Sequence, residues 1–452
     1  MSTVLAKFSS LLPPEKRRKA MFAIALPIIG GMLSQNILNL VDTAMVGHLG
    51  DVALAATGFG GFANYMAIAF ILGLSTGVQA LASRRMGEGR DSESAVPLNG
   101  GLFLSLLLGV PIAVIIYTAA PWIMSVLTPD AAVAAEATPY LQVRLLAMVA
   151  VGMNFSFRGY LSAVEMTRYY LITIVSMHII NVILNWVLIF GNLGFPAFGV
   201  VGAAMATSIS IVIGTLMYFV IVWRTSHQHG FLHRIPCRKT IWQQFKLSLP
   251  NSMQQLLFSA GLVVLLYILG QIGTAEVAVG NVLLTLILVA LLPAIGIGIA
   301  TASLVGNALG RKDATDAHLW GWDGARITGV YGAIVTVIFL LFGHQILAVF
   351  LTNPETLALA FWPFVITAVV LVIDLMGITL MHALLGAGDT MTPMRISVIG
   401  QWLFFLPLAW LTGPILGYGL LGVWLIQGVY RLLQAIVFMR AWENGKWAKI
   451  KL

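Results

Sequence analysis

Two carboxylates, Asp42 and Asp374, lie inside long apolar runs of the chain. Placing a charged side chain at the centre of a bilayer costs at least about 2.5 to 3.5 kcal/mol, so an acid that faces the interior of a helix bundle is suited to binding and releasing a cation. Asp42 has company. Gln35, Asn39 and Asp42 are spaced i, i+4, i+7, which sets all three on one helix face. His178, Asn181 and Asn185 form a second polar stripe at i, i+3, i+7, and Asn154 stands in the run before it. Asp374 has fewer companions: His382 two turns on, and Gln254, Gln255 and Asn281 in neighbouring runs. The chemistry open to the first group is cation exchange. Burial favours the neutral carboxyl, hydrogen bonds donated by nearby amides favour the carboxylate, and a modest rearrangement tips the balance.

Other readings of the same residues are ordinary packing and ion pairing. Asparagine and glutamine make interhelical hydrogen bonds, and a membrane aspartate can simply neutralise an arginine. For Asp42 the basic candidates are Arg144 and Arg158; for Asp374 an ion pair or a water-filled cleft explains it equally. Glu165, Glu276 and Asp389 fall at helix ends and read as structural. Gly73-Leu-Ser-Thr-Gly77 matches a nucleophile-elbow pattern but lies within an apolar run with no strand before it. His227, His229 and His233 lack a carboxylate or cysteine at ligand spacing, so they read as part of a connecting segment. No nucleotide-binding or metalloprotease motif is present, and neither a cofactor nor a metal site is expected.

The elements that must position these residues follow from composition. Of 452 residues, 59% are hydrophobic and 9% charged, against roughly 25% charged in globular chains, which excludes a water-soluble enzyme or a disordered regulator. Runs without charge exceed the ~20 residues that cross a bilayer. Counting one span in each such run, and two in the runs from Arg168 to Arg224 and from Arg395 to Arg431, gives twelve helices. The first of them is too long for a cleavable signal peptide. Lysine and arginine gather before the first span (Lys7, Lys16, Arg17, Arg18, Lys19) and after each even-numbered one, while the opposite loops hold none. Both termini are therefore expected to be cytoplasmic. Arg144, Arg158, Arg326 and Arg431 are left over inside helices.

A shift of 223 residues aligns Leu26-Pro27 with Leu249-Pro250, Gly47 with Gly270, Gly50 with Gly273, Leu81 with Leu304 and Gly87 with Gly310. A shift of 220 places Phe198-Gly-Val-Val-Gly202 on Tyr418-Gly-Leu-Leu-Gly422. Such a framework reads as a duplication of six helices, with a substrate route between the halves. The expected organisation is an all-α integral membrane protein: an N-lobe over 1–223, a cytoplasmic connection over 224–241 and a C-lobe over 242–452.

Asn39-Leu-Val-Asp42-Thr-Ala-Met-Val-Gly-His-Leu-Gly50, Arg158-Gly-Tyr-Leu, and Leu385-Gly-Ala-Gly-Asp-Thr-Met-Thr-Pro393 resemble the multidrug and toxic compound extrusion (MATE) family. With Glu443-Asn-Gly-Lys-Trp, they look most like its branch named for DNA-damage-inducible protein F. The resemblance covers nearly the whole chain. It implies twelve helices in two six-helix lobes, and an antiporter that expels amphipathic, often cationic compounds in exchange for protons or sodium. It also implies that Asp42 binds the coupling cation, with Asn181 and Thr207 at the same site; Asn39 is added to that site by its place on the helix face of Asp42. Asn185 stands where relatives often carry a second aspartate, which leaves one first-half acid and favours protons over sodium. The helix-seven acid of another branch is missing, since Pro250 is followed by Asn-Ser-Met-Gln-Gln-Leu-Leu-Phe-Ser, whereas Asp374 matches that branch's helix-ten aspartate.

The expected function is therefore a proton-coupled exporter of amphipathic organic compounds, without enzymatic activity. Its substrate cavity is expected to include Gln35, Asn154, His178, Asp374, Gln254 and Asn281. The expected setting is a bacterial inner membrane, with the lipid bilayer and small molecules as partners, no nucleic acid, and a monomeric state. A lipid-linked oligosaccharide flippase is the alternative; it calls for more spans and for basic residues in the cavity, where only Arg144 and Arg158 are available. A membrane-embedded enzyme or sensor would need a catalytic constellation or an attached soluble domain, and the sequence shows neither.

Overall fold

The computed structural model describes residues 12–452. Lys7, one of the basic residues counted before the first span, lies outside the described residues. In chain order the long helices are α1 (Glu15–Gly47), α2 (Asp51–Gly87), α3 (Asp91–Leu127), α4 (Ala131–Leu146 and Met148–Ala163) and α5 (Thr167–Phe190). They continue as α6 (Gly199–His229), α7 (Arg238–Ile272), α8 (Thr274–Gly310), α9 (Ala314–Phe350), α10 (Pro354–Ala387), α11 (Met391–Ile415) and α12 (Gly419–Glu443). Among the described residues, eleven are each apolar and long enough to cross a bilayer. The two segments of α4 meet at 50° and complete the twelfth span.

The reason is local. Lipid offers no hydrogen bonds, so each apolar run satisfies its backbone within itself as a helix. The connections are short because glycine supplies the left-handed backbone that ends a helix abruptly: Gly191 closes α5 at φ 75° and Gly388 closes α10 at φ 90°. Prolines within the spans, such as Pro27 and Pro250, are tolerated by the same packed surroundings. Large apolar side chains remain on the outside, Leu341 at 68% and Leu403 at 75% exposure among them, as lipid-facing surface requires.

The chain divides into two compact units. One comprises Pro27–Ser252; the other joins Met253–Leu452 to the N-terminal segment through Leu26. We call these the N-unit and the C-unit. They do not coincide with the sequence halves 1–223 and 242–452: the chain changes unit inside α1 and again inside α7. The physical reason is where the first turns of those two helices find partners. Arg17 pairs with Asp316 at 2.5 Å and with Asp323, and lies 3.7 Å over the ring of Trp320, all on α9. Met21 is fully buried, with its sulfur 3.9 Å from Thr301 Oγ1 on α8.

The start of α7 is held by the N-unit in a comparable way. Ser252 Oγ accepts from the backbone N–H of Gly73 at 3.1 Å, and Asn251 Nδ2 donates to Thr76 Oγ1 at 2.8 Å. A Cβ on Gly73 would stand 2.1 Å from the Ser248 carbonyl oxygen, so only glycine permits this approach. The connection over 224–241 also belongs to the N-unit. Asn99 Nδ2 donates to the carbonyls of Gly230 and Arg234, each at 2.9 Å, and Arg234 pairs with Glu93 at 2.9 Å.

Within the N-unit the core is built of small and branched side chains, including Ala56, Ala137, Leu141 and Leu145. In the C-unit Leu269, Leu283, Phe364 and Trp424 form the corresponding core. The C-unit has one further irregularity: α11 contains two stretches of π-helix, Ile399–Phe405 and Leu411–Ile415. Wider turns of this kind displace the side chains that follow and are frequent at functional sites.

Candidate functional site

The two polar stripes of the N-unit face each other. On α5, Asn181 and Asn185 are fully buried and His178 is 5% exposed. On α1, Asp42 is half-buried. Asn185 Nδ2 donates to Asp42 Oδ1 at 2.6 Å. The Asn181 amide satisfies both its ends when its nitrogen faces Asp42 Oδ1 at 3.1 Å and its oxygen faces Thr207 Oγ1 of α6, also at 3.1 Å. The carboxylate thus receives two charge-assisted hydrogen bonds from neutral amides. The Oδ1 of Asn185 is buried without a hydrogen-bond partner, leaving an unused acceptor beside the acid. Arg144, beside the bend in α4, keeps its Nε and Nη1 buried without a hydrogen-bond partner.

The network continues along α1. His178 Nε2 lies 3.2 Å from Gln35 Oε1, and its Nδ1 lies 2.7 Å from Ser34 Oγ. Because Gln35 Oε1 only accepts, these partners assign the proton to Nε2 and let Nδ1 accept from the serine hydroxyl. Gln35 Nε2 in turn donates to Asn39 Oδ1 at 3.1 Å. The half-buried carboxylate is thus held by two amides, and the Ser34–His178–Gln35–Asn39 chain forms a separate set of hydrogen bonds between α1 and α5.

Of the residues singled out from sequence, Gln35, Asn39, Asp42, His178, Asn181, Asn185 and Thr207 are brought together in the N-unit. Asn154 is used for packing: its Oδ1 accepts from Thr215 at 2.9 Å and its Nδ2 donates to the Ile211 carbonyl at 3.4 Å. Asn281 is exposed and donates to Val277 of its own helix at 3.1 Å. Gln254 donates to Ser397 at 3.0 Å and to the sulfur of Met381 at 3.2 Å. Asp374 is buried in the C-unit and faces Arg431 at 3.7 Å.

Sequence reasoning missed Ser34 and the pairing of Arg431. A serine in an apolar helix carries no distinguishing signal, and helical periodicity cannot say which neighbour an arginine meets. Arg158, the other candidate partner for Asp42, is engaged elsewhere, donating to Ser75 at 3.4 Å and lying 4.8 Å over Phe155.

Comparison with known proteins adds the following. The family model MatE matches residues 27–187 and 250–411. An uncharacterized transporter of Bacillus subtilis, YisQ, is 26% identical, with 99% of each chain covered. Probable multidrug resistance proteins named NorM are 24% identical in Thermotoga maritima, covering 98% of this chain and 96% of the relative, and 29% identical in Synechococcus, covering 90% and 89%. Among solved structures, an outward-facing multidrug resistance transporter of the MOP superfamily superposes with a TM-score of 0.87 at 24% identity, over 96% of this chain and 97% of the other. A MOP-superfamily transporter from Pyrococcus furiosus gives 0.86 at 24% identity, with the same coverage.

Proposed function

Because the chain belongs to the MATE family, a family of multi-pass membrane transporters, we propose that it exports amphipathic, often cationic organic compounds by alternating access, driven by protons bound and released at Asp42. The observation that carries this reading is the hydrogen bonding of one half-buried carboxylate by Asn185 and Asn181, with an unused acceptor beside it. The multidrug resistance names of the relatives support the substrate class, and the bacterial sources of those relatives support an inner-membrane setting.

Exchange requires that substrate and proton do not occupy the site independently. Charged Asp42 attracts a cationic compound; protonation removes the charge, frees the two amides to turn, and weakens that attraction. Loading the proton on one side of the membrane and the compound on the other then couples the two flows. A single carboxylate favours a proton over sodium, since a hard metal cation is held by several oxygen ligands, preferably charged. For the alternative, a lipid-linked oligosaccharide flippase, Arg158 is already engaged by Ser75 and Phe155, which leaves Arg144 as the one basic candidate of the two.

The test is dye efflux from proteoliposomes under an imposed pH step, with wild type beside Asp42→Asn at matched reconstitution. The variant mimics the protonated form, so it is expected to insert normally and to lose gradient-driven efflux. Undiminished efflux by Asp42→Asn would sink the assignment, and efflux driven by a sodium step alone would replace the coupling ion.

A further inference from the structure

The segment that joins α6 to α7 exposes apolar and basic side chains together. Ile235 is 93% exposed, Leu232 is exposed beside it in sequence, and Trp223 and Trp242 stand on the outside where the two helices end and begin. The turn itself is held firmly. Leu232 has a left-handed backbone, φ 52°, which a residue other than glycine adopts at a cost. Asn99 of α3 keeps it there: its Oδ1 accepts from the backbone N–H of Leu232 at 3.0 Å, while its Nδ2 bonds the carbonyls of Gly230 and Arg234 on either side. The N-unit thus builds a fixed turn whose apolar tip, Leu232 and Ile235, is left outside its own core.

The charge of this segment has one sign. From Arg224 to Lys246 there are five lysines and arginines and no acid. Arg234 is taken by Glu93. The other four, Arg224, Arg238, Lys239 and Lys246, are exposed and have no acidic partner among the described residues. The neighbouring α2–α3 connection sets Arg84, Arg85 and Arg90 against Glu88, Asp91 and Glu93, so it supplies no surplus of acid. Height matters as well. Tryptophan gathers at the membrane–water interface, and Lys246 lies 5.2 Å over the ring of Trp242, which keeps its charge at that level. Because α6 ends at His229 and α7 starts at Arg238, the turn stands roughly 6 to 9 Å beyond the two tryptophans at about 1.5 Å per residue. A headgroup layer is about 5 to 8 Å thick, so the tip reaches lipid headgroups and not open water.

From this geometry we infer that the α6–α7 segment is a docking surface for the membrane itself, with Leu232 and Ile235 entering the headgroup layer and Arg224, Arg238, Lys239 and Lys246 taking the phosphates of anionic lipid. The uneven distribution of lysine and arginine along the chain accounts for the side on which the segment lies, but not for an apolar tip or for the turn that exposes it. Interfacial anchors combine buried apolar surface with attraction to anionic lipid, and this segment carries both. A protein partner would have to reach a tip that already lies within the headgroup layer. The inference does not depend on what the protein transports.

The test uses the full chain in nanodiscs, with a nitroxide on the native Cys237, the single cysteine, two residues from Ile235. Collision with oxygen, which concentrates in lipid, is compared with collision with a water-soluble nickel chelate, in nanodiscs containing phosphatidylglycerol and in nanodiscs of phosphatidylcholine alone. The label is expected to favour oxygen with phosphatidylglycerol and to shift towards the chelate with phosphatidylcholine or at high salt. Arg238→Gln and Lys239→Gln are each expected to lower the ratio of docked to free segment about fivefold with phosphatidylglycerol and to change little with phosphatidylcholine. Lys239→Arg should retain docking, and Ile235→Asp should lose it in both lipids; these exposed positions leave the fold intact, which an unchanged melting temperature verifies. A label equally open to the chelate in both lipids would overturn the proposal and leave the segment a solvated connection. A label shielded equally in both lipids and indifferent to salt would overturn it in favour of a protein contact.

Discussion

On the proposed role of Asp42, its contact with Asn185 bears on which cation is taken. Asn185 Nδ2 stands 2.6 Å from its Oδ1, so Asn185→Asp would set a second carboxylate against the first. Two such groups cannot both ionise without a cation between them. The expected outcome is that the variant gains sodium-driven dye efflux relative to wild type, read in proteoliposomes under a sodium step at constant pH. No sodium response would mean that this position does not select the ion. The Asp42 stripe was legible in sequence because i, i+4, i+7 spacing fixes a helix face whatever the tertiary structure. Its partners were only half legible. His178, Asn181 and Asn185 share a face by the same arithmetic, but that this face turns to α1 is a matter of packing. Asn154 and Asn281 show the limit: residues of the same chemistry that went to helix packing and to a carbonyl of their own helix.

For the helices, the informative feature is the pair of spans that begin in one unit and end in the other. Arg17 on α1 meets Asp323, whose side chain is 6% exposed. Removing one partner of a buried pair costs about 3 to 5 kcal/mol, whereas an exposed i,i+4 pair contributes only about 0.3 to 0.5 kcal/mol. Arg17→Ala is therefore expected to lower the melting temperature clearly, while Lys19→Ala, which breaks an exposed pair with Glu15, should leave it nearly unchanged. Thermal unfolding in detergent checks this, and equal effects would refute it. Gly73 offers a second check on α2 and α7. Gly73→Ala puts a methyl against the Ser248 carbonyl, and a backbone atom cannot swing aside, so the variant is expected to fold poorly or melt early. The repeat read from sequence set Pro27 and Pro250 in equivalent positions, and each lies inside its helix. It could not reveal the exchange of their first turns, because a turn-glycine framework records where helices stop and not what they touch.

Across the whole chain, Cys237 provides a natural reporter of sidedness. It is the single cysteine, and it is exposed in the segment joining the two repeats. A membrane-impermeant maleimide is expected to label it in inside-out vesicles and not in intact cells, while a cysteine introduced at Leu193, 75% exposed, should behave in the opposite sense. Labelling of Cys237 from outside would reverse the topology inferred from the lysines and arginines. The hydroxyl of Thr240, 3.3 Å from Sγ, holds this thiol below its ordinary value. Maleimide reacts with the thiolate, so labelling rises with pH. Thr240→Ala is expected to move the midpoint upward, and an unmoved midpoint would show that the hydrogen bond does not tune the thiol.

The partners of Arg17 have a consequence for how the protein is made. Its contact with Asp316 spans 299 residues of sequence, and at a synthesis rate of about 5 to 20 residues per second that is an interval of roughly 15 to 60 s. The Asp42 cluster needs nothing beyond Thr207, and its whole unit is complete once Ser252 has emerged. The first charged turn of the nascent chain is thus among the last to find its neighbours. A ribosome-bound intermediate halted soon after Ser252 would already hold the Asp42 cluster while Lys16, Arg17, Arg18 and Lys19 remained without α9. Until α9 is made, the ion pairs that Arg17 holds in the folded chain cannot form.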